Sequence, residues 1–399
     1  MKRNDRVAIV SEGLPFGGTT TLSLFLASGL RRLGAPVKVF SFTDEHPLKA
    51  DFERQSIAVH TEPHQGRIYE DRLAGVYRSL AEFEPTAVLA FLSACSFETL
   101  RYVPKGVLRI GTIHDHHEAV YRLVGDYIPW IDQITVGCSA ELDRAKTIYS
   151  ETPSHHLTYG IPIDPNRPMR QSQLDEPIRI LYFGRLQQSQ KQVRIFPEIW
   201  RELKRRNVNF RWTIHGDGPE KDFLREQLKE GVNAGEVRFS VPVPYDELKN
   251  IIGQHDIYLL TSAHEGGPLT LLEAMAQGLV PVCGDIPCIV QDAVNSKNGI
   301  RVPFDDPTAY ADAIATLACD RQRTDDLSAE AVRTAETDHS EIALAQRYLD
   351  FLADTQPELA SPAWPDKIVP KPIVSASPLK FHPLVRPLRR LAKRLKPRA

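Results

Sequence analysis

The sequence predicts an α/β protein made of two doubly wound parallel sheets that face each other across a cleft. Three observations support this fold class. Short segments rich in Val, Ile and Leu alternate with amphipathic stretches of helical spacing. Continuous apolar segments of this kind are typical of parallel sheets, which helices cover on both faces. The pattern also restarts after Gly160 and Ile161, across a Pro-rich join that ends at Pro177.

Ten segments have the length and composition of buried strands. In the first half they are Val7–Val10, Val37–Phe42, Ala87–Leu92, Leu108–Thr112 and Ile134–Gly137. In the second half they are Ile178–Phe183, Arg211–His215, Val237–Val241, Ile257–Leu260 and Val280–Cys283. We therefore predict one domain at residues 1–165, a second at 166–337, a closing helix at 338–355, and a Pro-rich linker with a basic tail at 356–399. Ligands of open α/β sheets bind beyond the carboxyl ends of the strands, which places the predicted site in the cleft.

The composition is that of a globular protein from a reducing compartment. Hydrophobic residues make up 42% of the chain and charged residues 25%, as in ordinary soluble proteins. The five cysteines, an odd number without a CxxC pair, argue against a disulfide framework. The first apolar run is too short for a signal peptide, and no stretch approaches the roughly 18 to 20 apolar residues that span a bilayer. We expect a cytoplasmic protein.

The most informative segment is E-G-G-P-L-T-L-L-E, from Glu265 to Glu273, at the start of a predicted helix. The residues expected at this helix start are Gly266, Gly267, Pro268 and Leu269. Pro suits the first helical position, and the N–H groups there point outward at the positive end of the helix dipole, which suits a phosphate. The two carboxylates can accept hydrogen bonds from ribose and sugar hydroxyls. The segment therefore favours a nucleotide-sugar site; the alternative is a buried amphipathic helix with a solvated Glu at each end.

Two further segments carry residues suited to a phosphate ligand. Arg185 and Lys191 follow the strand that ends near Phe183, where a planar guanidinium and an ammonium can clamp a diphosphate and stabilise charge on it as it leaves. Gly17 and Gly18 lie between the first strand and the first helix, and glycine permits close backbone approach to a ligand. The alternatives are two surface charges and an ordinary tight turn.

Taken in order, these segments resemble the GT-B glycosyltransferases of glycosyltransferase family 4, a retaining group that uses nucleotide sugars. The resemblance covers about residues 6–355 and rests on four segments: V-A-I-V-S-E-G-L-P-F-G-G-T-T-T, G-R-L-Q-Q-S-Q-K, I-H-G-D-G-P-E and the E-x7-E segment. It implies a GT-B fold, with two Rossmann-like domains and a nucleotide-sugar cleft between them. It also implies transfer of a sugar to a hydroxyl of a glycan or lipid-linked acceptor of cell envelope polysaccharide. One departure is Gln192, where the family commonly has Gly.

The resemblance also assigns roles to individual residues. The four residues expected to act in catalysis are His114, Glu265, Arg185 and Lys191. His114, at the end of a predicted strand, and Glu265 would contact the transferred sugar, and Glu273 the ribose hydroxyls. The two cations would hold the diphosphate, and the glycine pair would lie over the donor phosphates and the acceptor. Transfer would occur at the front face with retention, without a covalent enzyme nucleophile, because the leaving phosphate helps to deprotonate the incoming hydroxyl.

We expect no metal site and no cofactor. His114 lies in G-T-I-H-D-H-H-E, but neighbouring residues at a strand end point in different directions and the spacings of known zinc motifs are missing. A D-x-D pair at a strand end, which would hold a divalent ion, is also missing. Gly216-Asp217-Gly218 is predicted as a structural turn in which Asp217 could cap the next helix.

The tail differs in charge from the rest of the chain. Residues 361–399 carry ten Lys and Arg against one Asp, a net charge of +9. Four leucines recur there at helical spacing: Leu384, Leu388, Leu391 and Leu395. A basic amphipathic helix can lie on an anionic membrane surface, here the inner face of the cell membrane; the alternative is a solvated terminal tail. No nucleic-acid recognition motif accompanies these charges.

Two alternatives to the glycosyltransferase remain open at this stage. A GT-B-fold sugar-nucleotide epimerase or phosphorylase would use the same nucleotide site for other chemistry. A non-catalytic module would bind the nucleotide sugar without turnover. A glycosidase is less consistent with the sequence, because two carboxylates would serve it but the phosphate-binding residues would have no purpose.

Overall fold

The computed structural model describes residues 5–44, 46–63, 68–91, 93–167, 175–241, 243, 245–355 and 363–370. Contacts divide the chain into two compact units. Unit 1 comprises Met1–Gly137, Glu141–Leu157 and Glu341–Ala399; unit 2 comprises Cys138–Ala140 and Thr158–Ser340. The chain thus leaves unit 1 near residue 157 and returns to it at residue 341.

The described residues form thirteen strands in two parallel sheets. The strands of the first sheet are β1 (Val7–Ser11), β2 (Val37–Ser41), β3 (Ala58–Thr61), β4 (Ala87–Phe91), β5 (Leu108–Ile113), β6 (Gln133–Val136) and β7 (Ser154–His156). Those of the second are β8 (Ile178–Phe183), β9 (Phe210–His215), β10 (Val237–Ser240), β11 (Ile257–Leu260), β12 (Val280–Gly284) and β13 (Ile300–Val302). The strand orders are β3-β2-β1-β4-β5-β6-β7 and β10-β9-β8-β11-β12-β13. Both orders reverse direction beside the first strand of the sheet, as in doubly wound folds.

Helices connect the strands in both units. In the first half they are α1 (Gly18–Arg32), α2 (Lys49–Arg54), α3 (Tyr69–Phe83), α4 (Ala94–Leu100), α5 (Glu118–Gly125) and α6 (Ser139–Ile148). In the second half they are α7 (Gln188–Lys191), α8 (Phe196–Arg205), α9 (Lys221–Gln227), α10 (Lys229–Asn233), α11 (Tyr245–Ile252), α12 (Leu269–Ala276), α13 (Ile289–Ala293), α14 (Pro307–Cys319), α15 (Arg321–Asp338) and α16 (Glu341–Thr355). Among the described residues, no helix has the length and apolar character needed to cross a bilayer.

Local sequence determines where several helices begin. Asp306 caps α14, its side chain accepting a bond from the Ala309 N–H at 3.0 Å, with Pro307 as the first helical residue. Asp320 caps α15 in the same way through the Arg323 N–H, also at 3.0 Å. Such caps satisfy N–H groups that have no partner inside the helix.

The predicted fold class is confirmed, and all ten predicted strands are present. Three strands were not predicted from the sequence: β3, β7 and β13. Each lies at the edge of a sheet and has only three or four residues.

The helix predicted at residues 338–355 is α16, and it packs on α1 within unit 1. A side chain at Gly29 of α1 would place its Cβ 2.3 Å from the carbonyl oxygen of Glu341, so only glycine allows this approach. Arg32 also pairs with Glu341. The apolar face of α16 includes Leu344, Tyr348 and Leu352, all buried.

Part of the predicted linker packs on unit 1. The ring of Trp364 lies 5.6 Å from the ring of Tyr77, measured between centroids, and the Tyr77 hydroxyl donates a hydrogen bond to the Pro365 carbonyl oxygen at 2.7 Å. Ile368 packs against the same core. The four leucines of the basic tail lie outside the described residues, and the tail stays a prediction.

Candidate functional site

Arg185 and Lys191 lie at the carboxyl end of β8, on either side of a loop that the neighbouring β9–α9 turn supports. A Cβ at Gly216 would lie 2.0 Å from the Gly184 carbonyl oxygen, and one at Gly218 would lie 2.3 Å from the Leu186 carbonyl oxygen. The Gly216-Asp217-Gly218 turn therefore has the structural role predicted for it, since larger residues would displace the Arg185 loop.

Asp217 does not cap the following helix. Its side chain accepts a hydrogen bond from the Gly218 N–H at 2.8 Å and lies 3.3 Å from the Lys221 ammonium. Helix α9 begins at Lys221, after Glu220, without a capping side chain. The predicted cap is wrong because the helix begins later than expected: its N-cap position is Glu220, three residues after Asp217.

Lys191 and Glu265 form an ion pair in the structure. The Lys191 ammonium donates to Glu265 Oε1, although 74 residues separate them in the chain. The same carboxylate accepts from the Ser262 hydroxyl at 2.6 Å and from the Gln190 amide at 3.3 Å. Glu265 is 7% exposed, so a nearly buried carboxylate is held by one charged and two neutral donors.

Backbone contacts hold the two segments of this pair together. The Thr261 hydroxyl donates to the Lys191 carbonyl oxygen at 2.7 Å, and the Ala263 N–H donates to the Gln190 carbonyl oxygen at 2.9 Å. Gln192, after Lys191, has φ 51° and ψ 35°, in the left-handed region that glycine adopts most easily. Gln192 therefore has a backbone conformation that favours glycine, at the position where the resembling family commonly has Gly.

Arg185 differs from Lys191 in its surroundings. Its side chain is exposed and its guanidinium donates only to the Gln187 amide oxygen, at 3.3 Å, among the described residues. Its backbone carbonyl accepts from the Tyr182 hydroxyl at 2.7 Å. Burial and the nearby Glu265 carboxylate raise the pKa of Tyr182. The Arg185 charge is therefore available to an anionic ligand.

Helix α12 begins at Leu269, with Pro268 as its N-cap residue, one position later than predicted. The preceding Gly267 packs so tightly that a Cβ would lie 2.1 Å from the ring of Tyr159. Glu273, in the second turn, is 9% exposed and lines a small cavity with Lys249 of α11. The eight residues of α12 thus place Glu273 inside unit 2 rather than in solvent.

Several residues at this site were not singled out in the sequence. Ser262 and Gln190 hold the Glu265 carboxylate. Tyr258, in β11, places its hydroxyl 2.8 Å from that of Thr270 in α12. Burial raises the pKa of Tyr258. The sequence signal that could have found them is position alone: Gln190 directly precedes Lys191, and Ser262 lies three residues before Glu265.

In unit 1, His114 directly follows β5. Its ring packs against Phe91 at 5.1 Å between centroids. The residue is only partly buried, but both ring nitrogens are shielded from water. Burial lowers the pKa of His114 to about 3, so the imidazole is neutral at pH 7. A neutral ring can accept or donate a hydrogen bond without adding charge.

Gly17 and Gly18 lie at the start of α1, where a Cβ on either glycine would meet no atom within 4 Å. Nearby, a cavity of about 620 Å³ opens at the carboxyl ends of β1, β2, β4 and β5. Its polar lining consists of hydroxyls and carboxylates: Ser11, Glu12, Thr19, Thr20, Thr43, Ser93 and Asp115. No Lys or Arg lines it among the described residues. This lining suits a neutral ligand rich in hydroxyls.

The neighbouring histidines have structural partners. The His117 ring nitrogen Nδ1 accepts from the Ala119 N–H at 3.2 Å and so caps α5, while Asp115 accepts from the His117 N–H at 2.9 Å. His116 Nε2 lies 3.9 Å from the buried Glu141 carboxylate. The expectation that no metal binds at these histidines stays a prediction.

Comparison with known proteins identifies the segment that carries Arg185, Lys191, Glu265 and Glu273. Residues 177–320 match the family model of glycosyl transferases group 1. The match covers 144 of the 399 residues of the chain. The resemblance is confirmed for this segment, at the level of group 1.

Two curated relatives show similarity over part of their length. The GDP-mannose:cellobiosyl-diphosphopolyprenol alpha-mannosyltransferase of Xanthomonas oryzae pv. oryzae is 30% identical over 143 residues, 35% of this chain and 37% of the relative. The putative colanic acid biosynthesis glycosyltransferase WcaL of Escherichia coli is 31% identical over 167 residues, 40% of each chain. The matched regions thus span less than half the length of these relatives.

Solved structures share the fold over most of the chain. Anabaena Alr3699/HepE in complex with UDP has a TM-score of 0.72 at 16% identity, covering 88% of this chain and 100% of that one. The lipopolysaccharide outer core galactosyltransferase WaaB has a TM-score of 0.69 at 17% identity, covering 88% and 99%. The chain therefore has the GT-B fold that the resemblance implies.

Proposed function

We propose that the protein is a glycosyltransferase that moves a sugar from a nucleoside diphosphate sugar to a hydroxyl of a glycan or lipid-linked acceptor. The observation that supports this most strongly is the Lys191–Glu265 pair at the carboxyl edge of the unit 2 sheet. It brings the cation proposed to bind the diphosphate into contact with the carboxylate proposed to bind the sugar, and both lie in the segment that matches the group 1 glycosyl transferases.

The donor would occupy this edge of unit 2. Arg185 is exposed and lacks a carboxylate partner among the described residues, so its planar fork can bind the diphosphate. The N-terminal amides of α12 add the positive end of a helix dipole. As the sugar–phosphate bond breaks, these groups stabilise the charge that develops on the nucleoside diphosphate.

The acceptor would use the hydroxyl-lined cavity of unit 1. Glu12 and Asp115 can accept hydrogen bonds from sugar hydroxyls, and the Ser and Thr hydroxyls can both donate and accept. His114, neutral at pH 7 because burial lowers its pKa to about 3, would hydrogen-bond the transferred sugar. We propose retention by front-face transfer, in which an oxygen of the leaving phosphate takes the proton of the incoming hydroxyl and no metal ion takes part.

The relatives support a lipid-linked acceptor, since one is a mannosyltransferase whose name specifies a cellobiosyl-diphosphopolyprenol substrate. An acceptor in a membrane would agree with the charge of the C-terminal tail, which is +9 over residues 361–399. We therefore propose that the protein works in cell envelope polysaccharide synthesis, at the inner face of the membrane, with the basic tail binding anionic lipid.

A thermal-shift panel tests the donor site first. UDP, GDP, ADP and TDP would each be added to the wild type and to Glu273→Ala. A nucleotide present at 100 times its Kd stabilises the folded protein by about 2.7 kcal/mol. We expect one nucleotide to stabilise the wild type alone, and no stabilisation by any of the four would contradict the proposed donor site.

Turnover of the matching nucleotide sugars then tests the reaction. We expect release of nucleoside diphosphate to depend on an added lipid-linked or oligosaccharide acceptor. The anomeric configuration of the product, observed by NMR, tests retention. Conversion of the nucleotide sugar without any acceptor would instead indicate an epimerase.

A further inference from the structure

Unit 2 contains a second cavity, of about 640 Å³, on one face of its sheet. Polar residues from three neighbouring strands and one loop line it: Arg179, Arg211, Thr213, Arg238, Ser240 and His255. The register explains why they share a face, since Arg179 lies opposite Arg211, and Thr213 opposite Arg238, on neighbouring parallel strands. Side chains two apart on one strand also point to the same side.

This face is unusual for a parallel sheet. The other face of the same strands is core, with Ile180 of β8, Trp212 of β9 and Val237 of β10 all buried. Both faces of a parallel sheet are normally covered by apolar contacts. Here the second face of β9 and β10 presents guanidinium and hydroxyl groups to an open cavity, and His255 adds an imidazole from the loop before β11.

Among the described residues, none of those proposed for the donor site lines this cavity. The cavity extends from Pro177 and Glu236, before β8 and β10, to Ser240, the last residue of β10. Arg211 and Arg238 are each the second residue of their strand and lie toward the amino ends. Arg185 and Lys191 follow the carboxyl end of β8. The six residues of β8 correspond to about 20 Å at 3.3 Å per residue.

Two of the arginines have no carboxylate partner among the described residues. Arg211 donates to the Gly235 carbonyl oxygen, and neither Arg211 nor Arg238 belongs to an ion pair in the described part of the chain. Both are exposed and lie on adjacent strands of one face. Two guanidiniums held on one small face repel each other, and an anion bound between them would remove that repulsion.

The carboxylates of the cavity are already occupied. Glu236 accepts from the Trp200 indole at 3.1 Å and pairs with Lys204. Glu176, which also lines the cavity, lies 3.5 Å from the Arg179 guanidinium. Asp256, next to the cavity residue His255, accepts from the Arg179 backbone N–H at 2.7 Å and lies 3.4 Å from the same guanidinium. The positive charge left for a ligand is therefore that of Arg211 and Arg238.

The hydroxyl of Thr213 is oriented by His255. Nδ1 of His255 lies 2.8 Å from the Ile251 carbonyl oxygen, so this nitrogen carries the proton. Nε2, 2.8 Å from Thr213 Oγ1, then accepts from the Thr213 hydroxyl when the ring is neutral. Burial lowers the pKa of His255 below 6.5, which favours that state at pH 7. The Thr213 oxygen is left to accept a hydrogen bond from a ligand hydroxyl.

We propose that this cavity binds a sugar phosphate, with the phosphate held by Arg211 and Arg238 and a sugar hydroxyl donating to Thr213. A phosphate offers three acceptor oxygens, which suits two guanidinium forks. The volume of about 640 Å³ lies in the range of small-molecule sites. The site does not depend on the proposed glycosyl transfer and would give unit 2 a second ligand, bound apart from the donor.

Isothermal titration of the full chain with glucose 6-phosphate tests the proposal. Three double variants would be compared with the wild type. Arg211→Ala/Arg238→Ala removes the proposed phosphate contacts, and Arg185→Ala/Lys191→Ala removes the donor-site cations. Arg201→Ala/Arg205→Ala is the matched control, because these arginines lie on α8, which packs on the core face of the sheet.

We expect the first variant to weaken binding at least about tenfold, as loss of charge-assisted contacts requires, and the other two to bind like the wild type. Glucose should bind no variant, and inorganic phosphate should bind more weakly than glucose 6-phosphate. The proposal is wrong if the wild type does not bind glucose 6-phosphate at 10 mM, about ten times the upper end of the usual range of KM values. It is also wrong if only Arg185→Ala/Lys191→Ala loses binding, a result that would leave the glycosyltransferase proposal intact. Should Arg211→Ala/Arg238→Ala not fold, Arg211→Gln/Arg238→Gln replaces it with the same expectation.

Discussion

Replacing Lys191 with Ala should destabilise unit 2 as well as weaken nucleotide binding. In the structure the Lys191 ammonium is the only charged donor to the Glu265 carboxylate among the described residues. Lys191 is 16% exposed at its side chain and Glu265 7%. The substitution would therefore leave a nearly buried carboxylate facing two neutral donors.

The size of the effect follows from what remains around Glu265. Removing one partner of a buried ion pair costs about 3 to 5 kcal/mol, because the other charge stays buried. The Ser262 hydroxyl and Gln190 amide still donate to the carboxylate, so we expect about 3 kcal/mol. A neutral amide at residue 265 needs no cation, and Lys191→Ala/Glu265→Gln should recover about 2 kcal/mol of that loss.

Urea unfolding monitored by tryptophan fluorescence can measure these changes in unit 2. Trp200 and Trp212 lie in unit 2, whereas Trp130 and Trp364 lie in unit 1. Replacing the latter two with Phe in every variant makes the signal report unit 2, which a two-domain protein otherwise prevents. The double variant should recover stability but not nucleotide affinity. A loss below about 0.5 kcal/mol in Lys191→Ala, or no recovery in the double variant, would refute the reasoning.

Three further outcomes follow from the site. Arg185→Ala should lower nucleoside diphosphate affinity by about 1.5 to 3 kcal/mol without lowering the melting temperature, because the side chain is exposed; unchanged titration calorimetry would remove Arg185 from the donor site. Gly267→Ala should cost about 2 kcal/mol by forcing the Tyr159 ring aside, whereas Gly18→Ala, with open space around it, should melt like the wild type. For His114, the folded pKa of about 3 lies below the unfolded value near 6.5. The buried neutral imidazole therefore contributes its full stability above pH 6.5, and that contribution decreases as the pH is lowered. When the pH is lowered from 7 to 5.5, the free energy of unfolding measured in urea should therefore decrease by about 1 kcal/mol less for His114→Asn than for the wild type. Equal decreases would contradict the buried neutral imidazole.

The central strands of both sheets could be predicted because burial on two faces demands continuous apolar residues. The strands missed, β3, β7 and β13, are three of the four edge strands; the fourth, β10, was predicted. An edge strand pairs on one side only, and the residues of β7, Ser154, His155 and His156, are only partly buried. Such short polar segments have the composition of loops, so no apolar pattern identifies them.

The candidate site was predictable in its parts but not in its contacts. The chemical types of Lys191 and Glu265, and their places after strands, follow from the sequence. Their pairing does not, because it depends on how β8 and β11 lie side by side in the sheet. The cavity of Arg211 and Arg238 could not be predicted for a similar reason. Its residues lie on separate strands, and only the register brings them to one face.

The return of the chain to unit 1 affects how the protein folds during synthesis. Residues are added from the N-terminus, and domains generally fold in that order. Unit 1, however, needs α16 against Gly29 of α1, and Trp364 against Tyr77. Both arrive only after all of Thr158–Ser340 has been made. On the ribosome, unit 2 can therefore finish folding before unit 1. Until α16 and Trp364 are made, the apolar surface that they cover on unit 1 stays exposed, and a chaperone that shields such surfaces would bind the N-terminal half.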